Sequence, residues 1–309
     1  MSDQDLSVTE LTNRLLASYA SVGGINHVDG VNLPSKSKIT QVTCGLLRLL
    51  FPGFFDDRMI HSSELKIETA MLMDEVKGDL EDEITKAIRF RPPNDEEVSD
   101  ARPLARKLTC DFLAYFPELR ELLRTDVEAA FNGDPAARSR DEIIVAYPFV
   151  ETIAVQRLAN FLYRHDVTLI PRIMSEWVHG RTGMDLHPGA SIGTHFFIDH
   201  GTGTVVGETC QIGNHVKVYH GVTLGARSTS RVEELRGSKR HPTIENNVTI
   251  YPGATILGGD TVIGHDSTIG GNVFIMDSVK PRSLVIYDGL DMRVLNKDAQ
   301  QEKVDDYQI

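Results

Sequence analysis

MDLHPGASIGTHFFIDHGTGTVVGET, residues 184–209, is the stretch whose reading decides the fold. It sets Asp185, His187, Asp199 and His200 among small, apolar and glycine residues that have too little bulk to build a core of their own. Such a run must stack on further chain, and the spacing shows on what. An aliphatic residue recurs at Ile192 and Ile198, resumes two residues late at Val206, and continues at Ile212, Val218 and Leu224. After an interruption the six-residue beat returns at Ile244, Ile250 and Ile256, slips by one, and runs through Ile263, Ile269 and Ile275. Glycine follows the aliphatic residue at Gly193, Gly207, Gly213, Gly225, Gly264 and Gly270, where a tight corner favours it. This is a hexapeptide repeat, the signature of a parallel β-helix. Each coil has three short strands and three corners and buries its aliphatic residues only by stacking on the next coil. Chance periodicity in an ordinary sheet does not account for so many matches with glycine in phase.

Outward from the repeat, the N-terminal side reads as helical. Apolar residues at helical spacing predict helices over 5–20, 39–50, 63–76, 80–90, 100–115, 117–131 and 141–165, the last resuming after Pro171 toward Trp177. Pro52 and Gly53 end the second helix, and Pro92 and Pro93 bar continuation after the fourth. The expected organisation is therefore α+β. An all-helical region covers residues 1–180, a left-handed parallel β-helix follows over 181–284, and a polar tail over 285–309. Asp134, which precedes Pro135, reads from the residues alone as a helix cap. Between Leu224 and Ile244 a polar excursion leaves the prism and closes on Arg240 and His241, bringing a cation and a titratable ring to the wall.

Composition narrows the function. A net charge of -12 over 309 residues speaks against a nucleic-acid partner, which needs a basic face to displace counterions. No long apolar run and no leader-like N-terminus predict a cytoplasmic protein with no membrane partner. Cys44, Cys110 and Cys210 form neither a disulfide framework nor a zinc pattern and are expected to be buried thiols. The histidines carry the chemistry. His200, after Asp199 and flanked by Gly201 and Gly203, suits a general base, and a carboxylate improves such a base by fixing its tautomer. Asp185, fifteen residues earlier, is expected about two and a half coils away. The rival is a zinc site drawn from His187, His195, His200, His215, His220 and His241, as in the gamma-class carbonic anhydrases, whose prism is similar. HVKVYH is read as placing His215 and His220 close to one coil apart. A non-catalytic scaffold that only presents its tail to a partner is a third reading.

DLHPGASIG, then IDHGTGTVVGET, then the GVTLG step and a loop closing on RHP resemble the serine O-acetyltransferases of cysteine biosynthesis, over roughly residues 134–276. The resemblance implies acetyl transfer from acetyl-CoA to the L-serine hydroxyl, with no metal. It implies His200 as general base and Asp185 as its orienting partner. Asp134 and Asp199 would take the acceptor ammonium, and Arg240 and His241 its carboxylate. A backbone amide at Gly225–Ala226 would hold the oxyanion, and Pro252, Gly253, Gly270 and Gly271 would line the cosubstrate path. Tyr251, Pro252 and Gly253 stand where the family has a Gly-Ala-Gly corner, so that path is expected to differ. The family further implies a homotrimer, with pairing into hexamers through the helical region, and a C-terminal Ile309 able to enter O-acetylserine sulfhydrylase. The nearest alternative is the same prism with another hydroxyl or amine acceptor.

Overall fold

The computed structural model describes residues 6–90, 100–227 and 237–287. The RPPNDEE break, Arg231, Glu233 and Arg236 of the excursion, and the ending at Tyr307 and Ile309 lie outside these residues. The described helices are α1 Val8–Ser21, α2 Lys36–Leu50, α3 Leu65–Arg89, α4 Ala101–Ala114, α5 Phe116–Gly133, α6 Arg140–Ala146, α7 Pro148–Arg164 and α8 Ile170–Thr182. None is long and apolar enough to cross a membrane.

Two helix boundaries differ from the sequence reading, each for a physical reason. The segments over 63–76 and 80–90 are one helix of 25 residues, α3. Gly78 costs about 1 kcal/mol in a helix interior, but Val76, Leu80, Ile84 and Ala87 keep one buried stripe running past it. Conversely, the helix expected over 141–165 is two. Pro148 opens α7 at a position where its missing N–H costs nothing, and Tyr147 caps α6 on one side and α7 on the other. The cysteine expectation also fails in part: Cys210 is buried, whereas Cys44 and Cys110 are exposed.

Among the described residues, fourteen short parallel strands form a left-handed β-helix of three sides. Side A stacks β1 Asp185–Leu186, β4 Val205–Val206, β7 Thr223–Gly225, β10 Thr255–Leu257 and β13 Phe274–Ile275. Side B stacks β2 Ser191–Ile192, β5 Gln211–Ile212, β8 Thr243–Ile244 and β11 Val262–Ile263. Side C stacks β3 Phe197–Asp199, β6 Lys217–Tyr219, β9 Thr249–Ile250, β12 Thr268–Ile269 and β14 Leu284–Val285. The register aligns the aliphatic beat: Val206, Leu224, Ile256 and Ile275 on side A, Ile192, Ile212, Ile244 and Ile263 on side B, and Ile198, Val218, Ile250 and Ile269 on side C. Burying each such side chain contributes about 1.5–3 kcal/mol. Residues that break the beat sit at corners, among them Gly201 and Thr202 before β4, and Gly258 and Gly259 before β11.

The first coil would leave a row of unpaired carbonyls at the end of the prism, and α7 satisfies them. Gln156 Nε2 donates to Ala190 O at 2.9 Å, Asn160 Nδ2 to Pro188 O at 2.7 Å, and Arg157 to Ile192 O and Gly193 O at 3.0 and 2.7 Å. Arg157 in turn pairs bidentately with Asp126 of α5, at 2.8 and 2.9 Å, in full burial. Burial pushes the Asp126 carboxyl up to about 6 against the pull of that guanidinium, so it is ionised at neutral pH. Asp126 also accepts from Phe196 N–H at 3.0 Å, which joins the helical region to side C. The outer face of β3 is covered by this joint, with Phe149 of α7 packed on Phe196 and Phe197.

Candidate active site

The predicted residues fall on two edges of the prism. At the edge where side C turns into side A stands His200, with φ +61°, a conformation uncommon for a side-chain-bearing residue. Gly201 N–H donates back to Asp199 O at 2.7 Å, so the chain reverses within three residues and the imidazole projects outward, its side chain 74% exposed. Backbone held in such sparsely populated regions concentrates at functional sites. His200 Nε2 lies 3.3 Å from Asp199 Oδ1. Asp185, the orienting partner implied by the resemblance, lies on β1 and makes no hydrogen bond or ion pair with His200; its charge acts on His187. Nor is it two and a half coils away. Asp185 pairs with Val205, twenty residues on, so the fifteen residues to His200 are less than one coil.

Asp134 approaches the same edge from the helical region. It caps no helix N-terminus: it ends α5, where its Oδ1 accepts from Ala136 N–H at 2.8 Å, and Ser139 caps α6. Its Oδ2 accepts from Tyr147 Oη at 2.5 Å. That hydroxyl is the main cause holding the Asp134 carboxyl below its usual range, with smaller contributions from His200 and Lys217, while the shared proton pushes Tyr147 up to about 12. Asp134 therefore stays ionised and within electrostatic reach of His200. The edge continues along the prism through His220, whose ring centre is 5.9 Å from that of His200, and then through Pro252, Gly253, Gly270 and Gly271. Tyr251 stacks on Tyr219 at 5.1 Å.

The second edge lies where side A turns into side B. It carries Gly225, Ala226, Arg240 and His241. Gly225 O accepts from Gly258 N–H at 3.0 Å, whereas Ala226 N–H donates to no described residue. Arg240 pairs with Glu208, which also accepts from Tyr163 Oη. Burial works to raise the Glu208 carboxyl, and these two donors outweigh it and hold it low. His241 is buried, with its Nδ1 accepting from Thr209 N–H at 3.1 Å. Its ring packs against Gly207, where a Cβ would stand 2.0 Å from its Cδ2. Burial, with the neighbouring Arg240, pushes its pKa down to about 4. The ring is thus neutral at pH 7 and, with Nδ1 accepting, carries its proton on Nε2, so it offers a hydrogen bond rather than a charge.

The six candidate zinc histidines pair off, two to an edge. His187 and His241 share the A–B edge, His200 and His220 the C–A edge, and His195 and His215, stacked at 4.1 Å, the B–C edge. His215 and His220 are therefore one side apart, on different edges, rather than one coil. No three His, Cys, Asp or Glu among the described residues converge as metal ligands. Sequence reasoning missed Lys217, Tyr147, Tyr163 and Glu208. Glu208 lies inside the quoted motif, and Lys217 is an outward position of a period-two strand; the two tyrosines gave no signal, being set by the α6–α7 break and by the packing of α7.

The plasmid serine acetyltransferase of Synechococcus elongatus is 42% identical to this chain over 234 residues, 72% of each. The chain belongs to the serine acetyltransferase family. The Bacillus licheniformis serine acetyltransferase is 45% identical over 133 residues, 43% of this chain and 59% of that one. Among solved structures, Entamoeba histolytica serine acetyltransferase 1 in complex with L-cysteine superposes with a TM-score of 0.70 at 35% identity, covering 80% of this chain and 86% of its own. No protein-family model matches the chain. As a member of this family the chain is an acyltransferase built on a helical region and a left-handed β-helix.

Proposed function

We propose that the chain transfers the acetyl group of acetyl-CoA to the hydroxyl of L-serine, giving O-acetyl-L-serine and CoA. The observation that carries this reading is the outward, carboxylate-backed imidazole of His200, with the ionised Asp134 beside it. With the Asp199 carboxylate 3.3 Å from Nε2 favouring the proton on that nitrogen, Nδ1 is the basic nitrogen; it takes the serine hydroxyl proton as that oxygen attacks the thioester carbonyl. The oxyanion is received by the Ala226 N–H, the C–S bond breaks, and the imidazolium returns the proton to the departing thiolate. Asp134 and Asp199 take the acceptor ammonium, and Arg240 with the Nε2–H of His241 its carboxylate. Asp199 is the better candidate to orient the base, and Asp185 remains a proposal that substitution separates from it.

The two sets of residues stand on different edges of one chain, which supports a homotrimer in which the His200 edge of one copy faces the Arg240–His241 edge of the next. Pairing of trimers into hexamers and capture of the C-terminal Ile309 by O-acetylserine sulfhydrylase belong to the same proposal, as does a cytoplasmic location. L-cysteine in the Entamoeba relative supports a site sized for a small amino acid. The test is thiol release from acetyl-CoA by the purified, chelator-treated chain with L-serine, L-homoserine or no acceptor. Release that depends on L-serine is expected. Release with another acceptor alone would keep the base and overturn the substrate.

A further inference from the structure

Lys217 has no role in the chemistry above, yet it sits where the acceptor-binding carboxylates are positioned. It points outward from side C, one strand along from β3 and diagonal to Asp199. Its ammonium lies 3.5 Å from Asp199 Oδ2 and donates to Gly133 O at 2.6 Å. Gly133 is the last residue of α5, and its carbonyl belongs to the negative end of that helix, where a cation is favoured. The rings of Phe197 and Tyr219 flank the ammonium at 5.3 and 4.6 Å, which limits where it can move. The space beside it is equally restricted: a Cβ on Gly133 would stand 2.8 Å from Phe197.

We propose that Lys217 is a positioning residue for the acceptor site, a strut that ties the end of α5 to side C and so sets how far Asp134 stands from Asp199 and His200. This rests on the acceptor role given to those carboxylates above. Asp134 follows Gly133 directly, so a shift of the tied carbonyl displaces the carboxylate, and ångström displacements at such groups cost up to about a hundredfold in rate. The groups facing the ammonium or its two anchors are Asp199 and Asp134, with Tyr147, His200 and Tyr219 around them. Lys217 also helps hold the Asp134 carboxyl low.

The experiment measures thiol release by the full chain while L-serine and acetyl-CoA are varied separately, across pH, for wild type, Lys217→Met, Lys217→Gln and Lys217→Arg. For Lys217→Met, KM for serine should rise about tenfold or more while KM for acetyl-CoA stays within about twofold. The acid limb of kcat/KM for serine should move to higher pH, and Lys217→Arg should recover most of the loss. Lys217→Gln keeps a donor for Gly133 O without the charge, and carries the acid-limb test if the methionine variant fails to fold. Serine KM within about twofold of wild type in both uncharged variants, an unmoved acid limb, or both KM values rising together would overturn the inference. A wild-type chain that shows no serine-dependent release overturns the acceptor reading and this inference with it. Serine-dependent wild-type release with indifferent variants overturns this inference alone.

Discussion

The two edges of the prism that carry the site use the same residue types to opposite ends. On the C–A edge His200 stands in a reversed backbone, open to solvent, with one carboxylate on its ring. On the A–B edge His241 is buried against Gly207, neutral, and held by Thr209. One imidazole is exposed beside a carboxylate, and the other is buried and kept neutral at pH 7. Histidine identity alone therefore says little about role; backbone conformation and burial assign it.

Substituting the exposed His200 should break this contrast most severely. His200→Ala should lower kcat by about two to four orders of magnitude while the circular-dichroism spectrum and melting profile stay those of wild type; near-normal turnover would remove the base. Next in size is the choice of orienting carboxylate. Asp199→Asn should cost more in kcat than Asp185→Asn, by about tenfold or more. The reverse order in steady-state assays would mean that the ring turns toward Asp185 once substrate binds.

On the closed edge the expected effects are on stability. Gly207→Ala drives a methyl into the His241 ring and should destabilise the fold by about 1–3 kcal/mol in urea unfolding. An unchanged midpoint would show that the ring is not tightly seated. The smallest effect is the pH dependence of the same histidine. Its folded-state pKa is depressed from the usual 6.5 to about 4, so its contribution to stability is complete above pH 6.5 and is lost as pH falls toward 4. The slope from this one group reaches at most about 1.4 kcal/mol per pH unit. His241→Gln should flatten the melting temperature against pH in that window.

Much of this was legible beforehand because a β-helix has a strict period. Each aliphatic residue of the beat must point inward or the coil cannot stack, so Ile192 to Ile275 announce the fold and even the corners where residues are inserted. The site was legible only as a set of residues. Asp134 read as a helix cap because its Tyr147 partner depends on the break at Pro148, which a continuous apolar stripe concealed. The break expected between 76 and 80 misled in the other direction, since burial on both sides of Gly78 carries α3 through.

The sequence by itself determined the prism and the identity of the residues at its corners, since a six-residue spacing with glycine in phase has one packed solution. Only the tertiary structure decided how those residues divide. Three corners per coil distribute them over three edges, so His200 and Asp199 share one edge with the incoming Asp134, while Arg240 and His241 stand on another. Neighbours in space here are set by the stacking of coils and by the docking of α5 and α7 on side C, contacts that bring together residues far apart along the chain.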